Sequence, residues 1–207
     1  MTAFLYAQEP HIAREAIEWC NIWIPDSNGT KLPRVLLLGD SITQGYYSKV
    51  AELLRDKASV ARLTTSKSVG DPALLAEVAV VLDQCRFDVV HFNNGLHGWG
   101  YSEEEYQKHF PELVATIRKH APKARLIWAT ITPVRVSGNV AKVAESTKRV
   151  KARNKIALDY VTKEAISVDD LYSLVENHPE YSAKDGIHFN SQGIAVQAEQ
   201  VAKQVLK

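Results

Sequence analysis

Short apolar runs alternate along the chain with longer stretches in which apolar residues recur at helical spacing. Five runs predict strands, and they lie at residues 35–38, 59–64, 88–92, 125–131 and 165–168. Five longer stretches predict helices, at residues 44–56, 71–84, 103–120, 140–162 and 191–206. Strands that alternate with helices are typical of a parallel sheet covered on both faces. The pattern therefore predicts an α/β fold, a three-layer α/β/α sandwich with a doubly wound, mostly five-stranded parallel sheet.

The first thirty residues have a different pattern. Residues 10–20 place apolar side chains at helical spacing, and Trp19, Trp23 and Ile24 form an apolar cluster before a turn at residues 25–29. We expect an N-terminal appendage, residues 1–30, that packs on a domain formed by residues 31–207. Residues 2–7 are similar to the end of a secretory signal and favour a periplasmic or secreted protein. The alternative is the ordinary hydrophobic N-terminus of a cytoplasmic protein.

Composition excludes several classes of protein. The 207 residues are 45% hydrophobic and 24% charged, with a formal net charge of +1, which is typical of a globular domain. There is no basic arm for nucleic acid and no run approaching the ~18 apolar residues of a membrane helix. The two cysteines, Cys20 and Cys85, lie far apart and show no metal-binding spacing. The sequence therefore predicts no nucleic-acid partner, no membrane span, no metal and no cofactor.

One stretch carries the candidate chemistry, Gly-Asp-Ser-Ile-Thr-Gln-Gly at residues 39–45. Ser41 follows the buried strand 35–38 and precedes a helix, so it lies at the carboxyl edge of the predicted sheet. Open α/β sheets bind their ligands at this edge, beside helix N-termini that favour negative charge. Ser41 is therefore a candidate nucleophile, and the alternative is that it only caps the helix.

Further candidate groups follow other strands and converge on the same edge. They are Gly70, the segment at residues 93–97, and the pair Asp185 and His188 in the loop before the last helix. A serine needs an adjacent base, and a histidine oriented by a carboxylate supplies one. Because Asp185 precedes His188 by three residues, one loop can provide both partners.

The arrangement resembles the SGNH (GDSL) hydrolase superfamily from about residue 34 to the C-terminus. The blocks that carry the resemblance are Gly-Asp-Ser-Ile-Thr-Gln-Gly at residues 39–45 and Asp-Gly-Ile-His-Phe-Asn at residues 185–190, with Gly70 as a looser match. The resemblance implies a flavodoxin-like fold with Ser41 as nucleophile, His188 as general base and acid, and Asp185 as its orienting carboxylate. It also implies that the amides of Ser41 and Gly70 donate to the oxyanion.

One block departs from the superfamily pattern. The third block is usually Gly-x-Asn-Asp, and here the aligned run is Gly-Leu-His-Gly at residues 95–98. His97 thus stands where an asparagine would donate to the oxyanion, and an imidazole N–H can also donate. Asn94 is the alternative donor, although it precedes the turn.

The resemblance implies ester hydrolysis through an acyl-enzyme without a cofactor, on a small-molecule or carbohydrate ester. Short connections leave no room for a lid or a long acyl tunnel, which favours a carbohydrate O-acetylesterase. Trp99 and Arg135 are candidate substrate contacts, together with Asp40 and Asn94, although Asp40 is better explained as a brace for the turn. Alternatives are a lipase or thioesterase for short or medium acyl chains, and a non-catalytic carbohydrate- or partner-binding domain.

Overall fold

A computed structural model describes residues 11–207 and confirms the predicted α/β architecture. The strands are β1 (Cys20–Trp23), β2 (Arg34–Gly39), β3 (Ser59–Thr65), β4 (Val89–Phe92), β5 (Arg125–Ala129), β6 (Arg135–Val136), β7 (Asn139–Val143) and β8 (Ser167–Asp169). The helices are α1 (Ser41–Leu53), α2 (Pro72–Gln84), α3 (Glu103–His120), α4 (Thr147–Lys163), α5 (Leu171–Glu176) and α6 (Ser191–Val205), with a 3₁₀ turn at Pro179–Tyr181.

Five parallel strands form the body of the sheet, and one antiparallel strand completes its edge. The strand order is β1-β3-β2-β4-β5-β8, and only β1 is antiparallel to its neighbour. Strands β6 and β7 form a separate hairpin. The central position of β2 places its carboxyl end, and therefore Ser41, at the middle of one sheet edge.

The two faces of the sheet carry separate apolar cores. Leu36 and Leu38 of β2 pack toward α2, α3 and part of α4, whereas Val35 and Leu37 pack toward α1 and α6. All four side chains are at most 1% exposed. A strand buried on both faces reads as a continuous apolar run, which is why the sequence pattern identified it. Truncating one such leucine to alanine typically costs ~2–5 kcal/mol.

Capping side chains fix the first turns of the helices that lead away from the candidate site. The Asp40 carboxylate accepts from the Ile42 amide, and Asp71 caps α2 with Pro72 as its first residue. Ser102 and Glu105 form a reciprocal capping box at the start of α3. The prediction of a start at Gln44 was three residues late, because the Asp40 cap lets Ser41 itself adopt helical geometry.

The predicted helix over residues 10–20 is wrong for the described residues of that range. Residues 11–19 contain no helix and cross the carboxyl edge of the sheet before β1 pairs with β3. Ion pairs to distant loops hold this segment, which we call the N-terminal strap (residues 11–19): Arg14 to Asp71 and Glu18 to Lys67. Tertiary contacts therefore override the local periodicity.

The prediction of one helix over residues 140–162 is also wrong. Residues 139–143 form β7, which pairs with β6 across a turn at Gly138, and α4 begins only at Thr147. The Thr147 hydroxyl donates to the carbonyl of Val134 and accepts from its amide, fixing the return of the chain. The short helix α5 and the 3₁₀ turn were not predicted.

Smaller expectations have mixed outcomes. Strand β8 begins at Ser167 rather than 165, since Ala165 adopts a positive φ of 52°. Cys85 packs partly buried against the core, and Cys20 is exposed. Within residues 11–207 no helix combines the length and apolar character required to cross a bilayer. The signal-like residues 2–7 lie outside the described residues.

Candidate active site

Ser41 is the first residue of α1, and only Asp40 separates it from the buried strand β2. Gly39 permits this tight strand-to-helix turn, because a Cβ there would lie 2.1 Å from the Thr43 hydroxyl oxygen. The amide of a first helical residue has no acceptor within its own helix. The turn therefore presents a hydroxyl and a backbone N–H from one residue.

His188 meets Ser41 across the sheet edge. Its Nε2 lies 2.8 Å from the Ser41 Oγ, although 147 residues separate the two in sequence. Its Nδ1 lies 2.8 Å from Asp185 Oδ2. A carboxylate only accepts, so Nδ1 carries the proton and Nε2 of the neutral ring is left to accept from the serine hydroxyl. The structure thus brings together the three residues that the sequence suggested as a set.

Asp185 is itself held by backbone amides. Its Oδ1 accepts from the amides of Ile187 and His188, each at 2.9 Å. Partial burial raises the pKa of Asp185, but the hydrogen bonds from the His188 ring and these two amides outweigh it and lower the pKa below its usual value. The carboxylate is therefore ionised at neutral pH and fixes the orientation of the His188 ring.

A cavity of about 510 Å³ opens beside Ser41 and His188. Its remaining lining comes from two loops and the strap: Ala13, Arg14, Glu15, Leu96, His97, Gly98, Trp99, Gly100 and Ile187. His97 and Trp99 were expected here. The strap residues were missed, because nothing in the local sequence connects them with a loop more than eighty positions away.

Arg153 of α4 organises the loop that carries His97 and Trp99. Its guanidinium is almost fully buried and donates to the carbonyls of Gly95, His97 and Gly98, each at 2.9 Å. It also lies over the Trp99 ring, 5.0 Å from the centroid. The positively charged fork therefore fixes the backbone of this loop from within the core.

His97 is held from the outer side by the strap. Its Nδ1 lies 2.6 Å from Glu15 Oε1, and Trp19 contacts the ring edge-on. The ring lines the same cavity as Ser41. His97 was predicted from the sequence as a candidate donor, whereas its partner Glu15 was not predicted.

Gly70 is not brought to this cavity. It lines a separate cavity of about 160 Å³ beside α2, and a Cβ there would lie 3.0 Å from the Tyr101 ring. Its φ of +104° is the left-handed conformation that favours glycine. Gly70 thus closes the turn that precedes α2.

The three other side chains suggested as substrate contacts make hydrogen bonds within the protein. The Asn94 amide accepts from the Val69 amide and donates to the Lys67 carbonyl, so it joins two loops. The buried Arg135 guanidinium donates to the carbonyls of Val140 and Glu176, which support the hairpin and the end of α5.

Asp40, the third, is only 1% exposed and therefore offers no surface to a substrate. Its Oδ1 caps Ile42, whereas Oδ2 has no hydrogen-bond partner among the described residues. Burial raises the pKa of Asp40, and interactions with the His97 and His188 rings and the hydrogen bond from the Ile42 amide oppose that rise. The capping hydrogen bond makes this carboxyl group a brace for the turn.

Three further aromatic side chains of α1 and β4 are structural. Tyr46 and Tyr47 are buried, and His91 lies in the core with Nε2 at 2.9 Å from Asp169 Oδ2. In residues 11–207 no group of three or more His, Cys, Asp or Glu side chains is arranged to hold a metal ion.

Comparison with known proteins gives one sequence match and several structural ones. A sequence model of the GDSL-like lipase/acylhydrolase family matches residues 37–196, which is most of the chain. No curated protein sequence matches significantly. The matched range includes Ser41, His97, Asp185 and His188, and it excludes the strap.

Solved structures share the fold at low sequence identity. A GDSL-like lipase from Bacteroides thetaiotaomicron has a TM-score of 0.68 and 14% identity, over 84% of this chain and 87% of that one. An acetyl xylan esterase has a TM-score of 0.67 and 19% identity, over 83% and 99%. A carbohydrate esterase family 3 protein from Talaromyces cellulolyticus has a TM-score of 0.67 and 18% identity, over 84% of this chain and 97% of that one.

Proposed function

Because this chain belongs to the GDSL-like lipase/acylhydrolase family and is an ester-bond hydrolase, we propose that Ser41, His188 and Asp185 act together as its catalytic residues. The observation that carries the proposal is the unbroken pair of 2.8 Å hydrogen bonds from Ser41 to His188 and from His188 to Asp185. A serine hydroxyl aligned with a carboxylate-oriented imidazole is the arrangement that acyl transfer requires.

In the proposed acylation step, His188 Nε2 takes the Ser41 proton as Oγ attacks the ester carbonyl. The tetrahedral intermediate collapses when the imidazolium returns that proton to the leaving alcohol, leaving an acyl-serine. A water molecule, deprotonated by the same Nε2, then attacks the acyl carbon, and Ser41 regains its proton as the carboxylic acid departs. Asp185 stays ionised throughout and stabilises the imidazolium.

The developing oxyanion needs preorganised donors. We assign this role to the Ser41 backbone N–H, at the N-terminus of α1, and to the ring of His97. Asn94 is the less suitable candidate because both ends of its amide are already hydrogen-bonded. Gly70 lines a different cavity and is assigned no donor role.

The substrate we propose is a small acyl group, most simply acetyl, on a carbohydrate. Arg14, Glu15 and His97 give the cavity several polar groups for hydroxyls, and Trp99 offers a ring that a sugar face can contact. Structural neighbours include an acetyl xylan esterase and a carbohydrate esterase family 3 protein, although this likeness concerns the fold.

A second candidate is an esterase for short acyl chains on a non-carbohydrate alcohol. It is favoured by two apolar side chains at the cavity, Leu96 and the 41% exposed Ile187, which can contact an aliphatic acyl group.

Hydrolysis of p-nitrophenyl acetate, butyrate and octanoate, together with acetate release from acetylated xylan, separates the two. A carbohydrate acetylesterase prefers acetate and deacetylates the polysaccharide, whereas the second candidate prefers butyrate and releases no acetate from xylan. Ser41→Ala should abolish turnover in either case, and Ser48→Ala, an exposed serine of the same helix, should not. Near-normal turnover by Ser41→Ala would overturn the assignment of the nucleophile.

A further inference from the structure

A hydrogen bond joins Glu15 of the strap to His97 of the loop on the other side of the cavity lining. Oε1 and Nδ1 are 2.6 Å apart, and the side chains are 41% and 15% exposed. The strap is anchored on both sides of Glu15, because Arg14 binds both oxygens of the Asp71 carboxylate and Glu18 binds Lys67 and Ser66. Glu15 is therefore held at the cavity from both sides.

This bond decides which nitrogen of His97 carries a proton. A carboxylate has only acceptor oxygens, so Nδ1 must be the donor. Nε2 has no hydrogen-bond partner among residues 11–207. In a neutral ring protonated at Nδ1, Nε2 carries a lone pair and would repel an oxyanion. It becomes a donor only when the ring is the imidazolium cation.

Groups of both charge signs surround the His97 ring. Glu15 binds it directly, and the buried Asp40 carboxyl group interacts with it through space. Opposing positive charge comes from Arg14 and from His188 when that ring is protonated, both of which line the cavity. Arg153 also lies beneath the loop, but its guanidinium is bound to carbonyl oxygens, including that of His97.

We propose that Glu15 is a positioning residue of the esterase, which holds His97 as an imidazolium with Nε2–H available to the oxyanion. The N-terminal strap, which lies outside the family match, would thereby supply part of the transition-state stabilisation. This inference rests on the proposed function, since the oxyanion forms only if Ser41 attacks an ester.

The proposal predicts a specific pH dependence. The donor form of His97 is lost as pH rises, so kcat falls on the alkaline side. Replacing the carboxylate by an amide in Glu15→Gln destabilises the cation, and the fall should move to lower pH. On the alkaline side kcat should therefore be several-fold below that of wild type at the same pH. KM should change little.

The variant His97→Asn provides the decisive background, because an asparagine amide donates without needing a charge. In this background the alkaline fall should disappear and Glu15→Gln should have no further effect on kcat. Glu180→Gln is the matched control, since Glu180 accepts from the His178 ring at 2.7 Å outside the cavity. Its pH profile should be that of wild type.

A second measurement does not depend on turnover. In protein labelled with ¹⁵N-histidine, the ring nitrogens of His97 report the pH at which the second proton leaves, and this pH should be lower in Glu15→Gln. An unchanged titration, or a loss of kcat by Glu15→Gln that persists in His97→Asn, would overturn the proposal. Retention of turnover by Ser41→Ala would instead overturn the proposed function, so the two failures are distinguishable.

Discussion

Asp185 contacts His188 twice, once through each carboxylate oxygen. Oδ2 is the partner of the ring Nδ1 at 2.8 Å, and Oδ1 accepts from the backbone amide of the same histidine at 2.9 Å. The two bonds fix both the ring and the backbone of His188, so the orientation of the proposed base is set within one loop of four residues.

Asp185→Asn should lower kcat by ~10³–10⁴ with little loss of stability. The carboxamide can still accept from the loop amides, but its NH₂ favours the tautomer with the proton on Nε2, which cannot accept from Ser41. Steady-state kinetics on p-nitrophenyl acetate measure the effect, with Glu180→Gln as the control because it alters a similar exposed pair. A kcat within three-fold of wild type would contradict the role of Asp185.

Arg153→Met should lower the free energy of unfolding by about 3 kcal/mol, because several loop carbonyls lose a charged donor. We also expect kcat/KM to fall, since the same loop carries His97 and Trp99. Urea denaturation and amide hydrogen exchange over residues 95–101 measure the two effects. Lys155→Met, an exposed position of the same helix, should change stability by less than ~0.5 kcal/mol. Unchanged amide hydrogen exchange in Arg153→Met would show that residues 95–101 keep their structure without the Arg153 hydrogen bonds.

Gly70→Ala should destabilise the protein by ~1–3 kcal/mol and leave kcat unchanged. The positive φ is unfavourable for alanine, and the added methyl group meets the Tyr101 ring. Gly138→Ala has a similar φ of +75° with nothing within 4 Å of the added carbon, so it isolates the backbone cost. Thermal unfolding and kinetics are measured on both variants. A large loss of kcat in a folded Gly70→Ala variant would contradict this prediction and would support Gly70 as part of the oxyanion site.

Glu18→Gln should reveal a pH-dependent anchor of the strap. Burial raises the pKa of Glu18, but hydrogen bonds from Lys67, Ser66 and a backbone amide outweigh it and bring the pKa to about 2, against a usual 4.5. Since the folded pKa is the lower one, the ionised form stabilises the fold fully above pH 4.5, and this stabilisation is lost as pH falls toward 2.

The expected loss in Glu18→Gln is about 2 kcal/mol at pH 7, reduced from the full linkage value because the side chain is partly solvated. Urea denaturation at pH 7 and at pH 3 should show that the difference in free energy of unfolding between variant and wild type is smaller at pH 3. Glu52→Gln, which breaks an exposed pair with Lys49, should have little effect at either pH. A gap of equal size at both pH values would exclude a role for the Glu18 charge.

Features with a local cause were predictable from the sequence. The buried run of β2, the caps at Asp71 and Ser102, and the single loop that holds Asp185 and His188 each depend on residues a few positions apart. Convergence of several strand ends on one sheet edge then follows from parallel topology.

Features that depend on distant side chains were not predictable. Residues 11–19 have helical periodicity, but they are held by hydrogen bonds to residues 46–94 positions away. Trp19 and Thr65 form the nearest of these pairs in sequence, and His11 and Glu105 form the most distant. Arg135 follows a strand end, as a substrate contact would, yet its guanidinium is used by the hairpin and α5. In both cases hydrogen bonds to residues distant in sequence determine the structure, and the pattern of hydrophobic and polar residues does not reveal them.

The 147 positions between Ser41 and His188 also separate the two residues in time when the protein is made. At ~5–20 residues per second, a ribosome needs roughly 7 to 30 s to travel from one codon to the other. During that interval the nascent chain carries the serine without its base. Its hydroxyl is then no more reactive than that of any other serine, so the proposed Ser41–His188 pair forms only after residue 188 has been synthesised and the loop before α6 has docked.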